Sequence, residues 1–113
     1  MDVGADLARA TCEPCRGGVP PLAGAALDTY LAQVPHWTLQ DGTRIERRVR
    51  FKDFAAALSF VDRAAALAEA ENHHPDICFG WGYARVSLQT KAISGLHRND
   101  FILAAKLDAL IDV

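Results

Sequence analysis

The stretch Glu69–Lys91 reads EAENHHPDICFGWGYARVSLQTK, and its pattern changes twice. An alanine-rich helical pattern enters it and stops at His73-His74-Pro75, where the proline ring disfavours the α conformation for His74, so the helix should end near Asn72 or His73. Beyond the break come a short apolar run, Ile77-Cys78-Phe79, and the turn residues Gly80-Trp81-Gly82. Ala84, Val86 and Leu88 then alternate with Arg85, Ser87 and Gln89. Alternation with period 2 after a glycine turn predicts a β-hairpin.

Toward the N-terminus, Asp53 can cap a helix in which Phe54, Leu58, Val61, Ala65 and Ala68 form one stripe, flanked by Phe60, Ala64 and Leu67. That central helix would be about 19 residues long, or ~28 Å, if it runs to Glu71. Ahead of it, His36–Gln40 and Arg44–Phe51 flank Asp41-Gly42, a dipeptide suited to a tight hairpin turn. In the second of these strands Ile45, Val49 and Phe51 share a face with Arg47, while Glu46, Arg48 and Arg50 share the other. A short amphipathic helix precedes them, with Leu22, Ala26, Leu27, Tyr30, Leu31 and Val34 on one face. After Gly95, Asn99 or Asp100 is a good N-cap for a last helix with Leu103, Leu107, Leu110 and Ile111 inward.

The order helix, two strands, helix, two strands, helix predicts an α+β two-layer domain: a four-stranded antiparallel sheet with three helices packed on one face. Its open face and edges suit a dimer. Residues 21–113 form this domain, and residues 1–20 are expected to be a flexible extension or draped arm of turn and linker composition. Within the arm, Cys12-Glu13-Pro14-Cys15 reads as a loop cysteine pair rather than a structural zinc site, which wants four ligands.

Composition narrows the function. Twelve Lys and Arg against fourteen Asp and Glu leave no overall positive field for nucleic acid; the basic run Arg44 to Lys52 lacks aromatic interleaving and reads as a solvated strand face. No apolar run approaches the ~18 to 20 residues needed to span a membrane, and the N-terminus lacks an apolar signal core. The odd cysteine count fits a reducing compartment, so the chain is expected to be soluble and cytoplasmic.

The doubled histidine is the strongest chemical clue, because imidazole changes charge near neutral pH. His73, placed in the last helical turn, and His74, held extended by Pro75, point in different directions and can differ in protonation. One donor and one acceptor suit an elimination of water, in which a leaving hydroxyl is protonated while the neighbouring atom loses a proton. Glu69 and Glu71 could orient a ring. A purely structural reading stays open, with His-His-Pro ending the helix and one ring stacked on Trp81 or Trp37. Zinc would require Cys78 or Asp76 to fold back as further ligands, so no metal is expected.

Glu69-Ala70-Glu71-Asn72-His73-His74-Pro75, then Trp81, the strand end Leu88-Gln89-Thr90, and Gly95-Leu96-His97-Arg98-Asn99-Asp100 together resemble the signature of the pterin-4a-carbinolamine dehydratases. The resemblance extends through Trp37 and Phe51-Lys52-Asp53-Phe54, covering about Leu22 to Leu110. It implies dehydration of a 4a-hydroxytetrahydropterin to the quinonoid dihydropterin, with the pterin as substrate and no separate cofactor. An aromatic amino acid hydroxylase system is the implied partner, and assembly as a homodimer or homotetramer is implied as well. It also implies His73, His74 and Asp100 as catalytic residues, and Glu69, Asn72, Pro75, Trp81 and Thr90 around the pterin. Lys91 departs from the pattern, standing where the family ordinarily has a third histidine. Lysine, with a reference value near 10.4, is a poor base at neutral pH but can stabilise a departing oxygen. An attenuated enzyme, or a noncatalytic pterin-binding and dimerisation module, is the alternative. His97, in the loop before the last helix, reads as a surface residue.

Overall fold

The computed structural model describes residues 3–14 and 17–111. The chain runs α1 (Val3–Arg9), α2 (Gly24–Gln33), β1 (Thr38–Gln40), β2 (Arg44–Arg50), α3 (Phe54–Glu71), β3 (Asp76–Gly80), β4 (Tyr83–Leu88), a 3₁₀ turn (Lys91–Ile93) and α4 (Arg98–Ile111). The expected architecture is present: one antiparallel sheet in the order β1-β2-β4-β3, with helices covering one face. At the first hairpin Asp41 and Gly42 both take positive φ, 54° and 71°, and Thr43 N–H closes the turn on the Gln40 carbonyl at 3.1 Å.

Register places Ile45 opposite Leu88 and Arg47 opposite Val86, so the inward faces of the two central strands meet under the helices. Ile45, Ala84, Val86 and Leu88 form the sheet side of the core, and Phe60, Ala64, Phe101, Leu103 and Leu107 the helix side. Arg47 lies on the inward face, as its period requires, and is neutralised there by Asp108 of α4. The same carboxylate accepts the Trp37 indole N–H at 2.8 Å, which explains why Trp37 is buried.

The inward stripe of α3 differs from the expected one. Ala57, Phe60, Ala64 and Ala68 face the core, whereas Phe54 and Leu58 are 46% and 40% exposed. Both stripes satisfy helical spacing because α3 is apolar nearly all round; packing against β3 and β4 buries the Phe60 side, whose ring lies tilted 5.4 Å from that of Phe51.

Part of the segment expected to be a flexible extension is helical, as α1. Residues of α1 pack along α4 and bury Leu7, covering the outer side of that helix. This second cover is why Phe101 to Ala105 are all buried, rather than only the expected Leu103 and Leu107 face. Cys15 lies outside the described residues, so the expected cysteine pair is described only at Cys12.

Candidate functional site

The site begins where α3 ends. Asn72 adopts the left-handed conformation at φ 51°, His73 N–H reaches back to the Ala68 carbonyl at 3.2 Å, and Asn72 N–H bonds to the Glu69 carbonyl at 3.4 Å. This is a Schellman closure, with asparagine in the position usually held by glycine. His73 therefore stands just past the helix rather than in its last turn, and its ring is turned toward the start of α4.

There it meets Asp100. His73 Nε2 lies 2.7 Å from Asp100 Oδ1, while Asp100 Oδ2 accepts from the Thr90 hydroxyl at 2.7 Å and from His97 N–H at 2.9 Å. Asp100 is 0% exposed, a placement a carboxylate tolerates only with such partners. An ionised carboxylate only accepts, so Asp100 favours the proton on His73 Nε2, and Nδ1 is an acceptor whenever the ring is neutral.

The start of α4 differs from expectation. His97, not Asn99 or Asp100, is the cap: its Nδ1 accepts Asn99 N–H at 3.0 Å, and Asp100 returns a bond to His97 N–H. This is a reciprocal capping box with imidazole in place of a hydroxyl. His97 is consequently half-buried and structural rather than a free surface residue.

His74 points the other way, with Nε2 2.8 Å from Glu69 Oε2, both side chains largely exposed. Lys91 enters from the opposite wall. The loop carrying it is closed by the Thr90–Gly95 bridge, and Gly95 is required there, since a Cβ would stand 2.5 Å from Pro21 Cβ.

Between these groups opens a cleft of about 330 Å³, lined by Asn72, His73, His74, Pro75, Asp76, Gln89, Thr90, Lys91 and Ala92. That volume is at the lower end of small-molecule sites. The structure thus gathers His73, His74, Lys91, Asn72, Pro75 and Thr90 around one space, with Asp100 beneath its floor and Glu69 behind His74. Trp81 is not brought there: it is 72% exposed at the β3–β4 turn, at the other end of β3 from Asp76, the β3 residue that lines the cleft. Sequence reading did not place Asp76 and Gln89 in the site: Asp76 entered only as a rejected zinc ligand, and Gln89 only as part of the strand-end motif.

Cys12 approaches the site from behind. Its N–H donates to Glu71 Oε1 at 3.0 Å, and burial, together with the Glu71 carboxylate, pushes its thiol up to about 12.

A sequence model of the family described as pterin 4 alpha carbinolamine dehydratase matches residues 20–110. A protein from Aromatoleum aromaticum, provisionally named as a pterin-4-alpha-carbinolamine dehydratase, is 59% identical over 93% of this chain and 95% of its own length. One from Azoarcus sp., named in the same provisional way, is 54% identical over 93% of this chain and 91% of its own. Among solved structures, a transcriptional coactivator/pterin dehydratase from Brucella melitensis superposes with a TM-score of 0.76 at 30% identity, covering 80% of this chain and 98% of its own. A pterin dehydratase-like protein described as a RuBisCO assembly factor in the alpha-carboxysome gives 0.58 at 28%, covering 66% and 88%. On the extent of these matches, the chain belongs to the pterin-4a-carbinolamine dehydratase family.

Proposed function

We propose that this protein eliminates water from a 4a-hydroxytetrahydropterin to give the quinonoid dihydropterin. The observation that carries the reading is the buried Asp100 holding His73 by its Nε2 at the floor of the cleft. With that nitrogen committed, His73 Nδ1 takes the proton from the pterin nitrogen beside the carbinol carbon. His74, open to solvent and backed by Glu69, protonates the departing hydroxyl. The carbon–oxygen bond breaks, the carbon–nitrogen double bond forms, and water leaves with the proton from His74; His73 then releases its proton to solvent and His74 takes one back from it. Lys91 stabilises the departing oxygen as a fixed cation. No further cofactor enters, and an aromatic amino acid hydroxylase is the natural source of the carbinolamine in the cytoplasm.

A second reading, a pterin-binding module with little turnover, draws support from Lys91 in the cleft and from the structural relative described as an assembly factor. Direct assay on chemically generated 4a-hydroxytetrahydropterin, with binding measured in parallel, separates the two. Turnover that falls 10²- to 10⁴-fold in His74→Ala, the usual worth of a proton-transfer group, supports the enzyme. Binding without accelerated dehydration by the native chain supports the module.

A further inference from the structure

The family match begins at residue 20, yet the chain ahead of it is fastened to both ends of the His73–Asp100 pair. Leu7 is buried against the helices, and Lys106 Nζ donates to the Ala8 carbonyl at 2.7 Å, which anchors the segment along α4. From there the backbone crosses from one helix end to the other. Cys12 N–H binds Glu71 Oε1, at the last residue of α3, and the Cys12 thiol donates to the Asn99 carbonyl at 3.6 Å. Glu13 N–H donates to Asn99 Oδ1 at 2.9 Å, and Asn99 Nδ2 donates back to the Glu13 carbonyl. Asn99 is 2% exposed, so this paired amide is held without competition from water.

Helix termini are where backbone hydrogen bonding runs out and fraying starts. The His73–Asp100 bond joins two such termini, the end of α3 and the first turn of α4. Glu71 lies two residues before His73 and Asn99 one before Asp100, so the segment bridges on one side the gap that the histidine and aspartate bridge on the other. We propose that residues 6–14 are a strap that sets the separation of His73 and Asp100, with Asn99 and Glu71 as positioning residues.

The test uses full-length chains. Glu13→Pro deletes the N–H that Asn99 accepts, whereas Glu13→Ala keeps it; Asn99→Ala removes the pair from the other side. Nitrogen-edited NMR follows the His73 Nε2–H proton, assigned by its loss in His73→Gln. The native chain and Glu13→Ala should show it sharp, and Glu13→Pro and Asn99→Ala should broaden or lose it. Val49→Ala, a core truncation at the far end of β2, controls for stability alone and should keep the signal despite a lower melting temperature. Turnover, which rests on the dehydratase reading, should drop tenfold or more in Glu13→Pro with KM within twofold. A native Nε2–H signal in Glu13→Pro, or its equal loss in Val49→Ala, overturns the strap. A native chain that never turns over 4a-hydroxytetrahydropterin overturns the dehydratase reading, and the ring proton still decides the strap.

Discussion

Asp100 is the residue on which stability and chemistry meet. Replacing it by alanine would leave the Thr90 hydroxyl and His97 N–H without their acceptor inside the protein, at about 1–3 kcal/mol for each unsatisfied buried group. Asp100→Ala should therefore lower the thermal midpoint markedly, whereas His74→Ala, which removes only an exposed pair, should leave it almost unchanged. Calorimetry on the two variants checks this; equal losses would mean that the Asp100 network is not holding the fold. At Lys91, substitution by histidine should raise dehydration if this position limits the chemistry, and equal rates in the native chain and Lys91→His would show that His73 and His74 suffice. Cys12 gives a pH prediction. Its thiol is raised from 9.0 to about 12 in the folded protein, so its contribution to stability is complete below pH 9 and is lost as pH climbs toward 12. Cys12→Ser, whose hydroxyl does not ionise there, should flatten the alkaline fall of the melting curve. Under mild alkylation, peptide mass spectrometry should find Cys12 labelled more slowly than the exposed Cys78.

At the scale of elements, α3 is fixed at both ends by identifiable residues. Asp53 accepts Ala56 N–H at 2.8 Å, and Asp53→Ala should cost about 1 kcal/mol, read by denaturant unfolding. At the other end, Asn72 occupies a left-handed conformation that a residue with a Cβ and no local hydrogen-bonding side chain adopts at a cost of about 1–2 kcal/mol. Asn72→Gly should keep stability, while Asn72→Ala should lower both stability and activity, because His73 is aimed by this turn. Unchanged turnover in Asn72→Ala would refute that role. The cap of α4 shows why a motif search by residue type falls short: imidazole Nδ1 reaches an N–H two residues on as a hydroxyl does, but histidine is not among the residues by which caps are usually sought.

For the whole molecule, the helices shelter one face of the sheet and leave α3 with an outward apolar stripe. Phe54 and Leu58 lie on that stripe, and the Phe54 ring packs 5.6 Å from that of Phe79 on the edge strand. Contiguous apolar surface of this kind favours association. We expect the protein to be a homo-oligomer, and Leu58→Asp should reduce its mass in light scattering without unfolding it. An unchanged mass would place the contact elsewhere. Phe60, fully buried beneath the same helix, belongs to the opposite class: Phe60→Ala should cost ~3–5 kcal/mol.

The division between sequence and tertiary structure follows from the range of each interaction. The alternation of helices and strand pairs from α2 to α4, the Asp41-Gly42 turn, the Asp53 cap and the break at His73-His74-Pro75 are local, governed by φ preferences and nearest neighbours, and they were legible in the chain itself, whereas α1 was not. The family motif also contains His73, His74, Thr90 and Asp100, which the fold brings to the cleft or to its floor. Other features depend on what lies opposite in space. The rotation of α3 is one, since two stripes obey the same period and only packing against β3 and β4 chooses between them. The exclusion of Trp81 from the cleft is another, because strand direction carried it away. The docking of residues 6–14 is the third: Leu7 has only the small apolar residues Ala8, Ala10 and Cys12 beside it there, and backbone N–H groups that meet Glu71 and Asn99 leave no mark in composition. Tertiary structure decided these because each joins residues far apart in the chain, where a contact arises from the shape of two surfaces rather than from the preference of either residue.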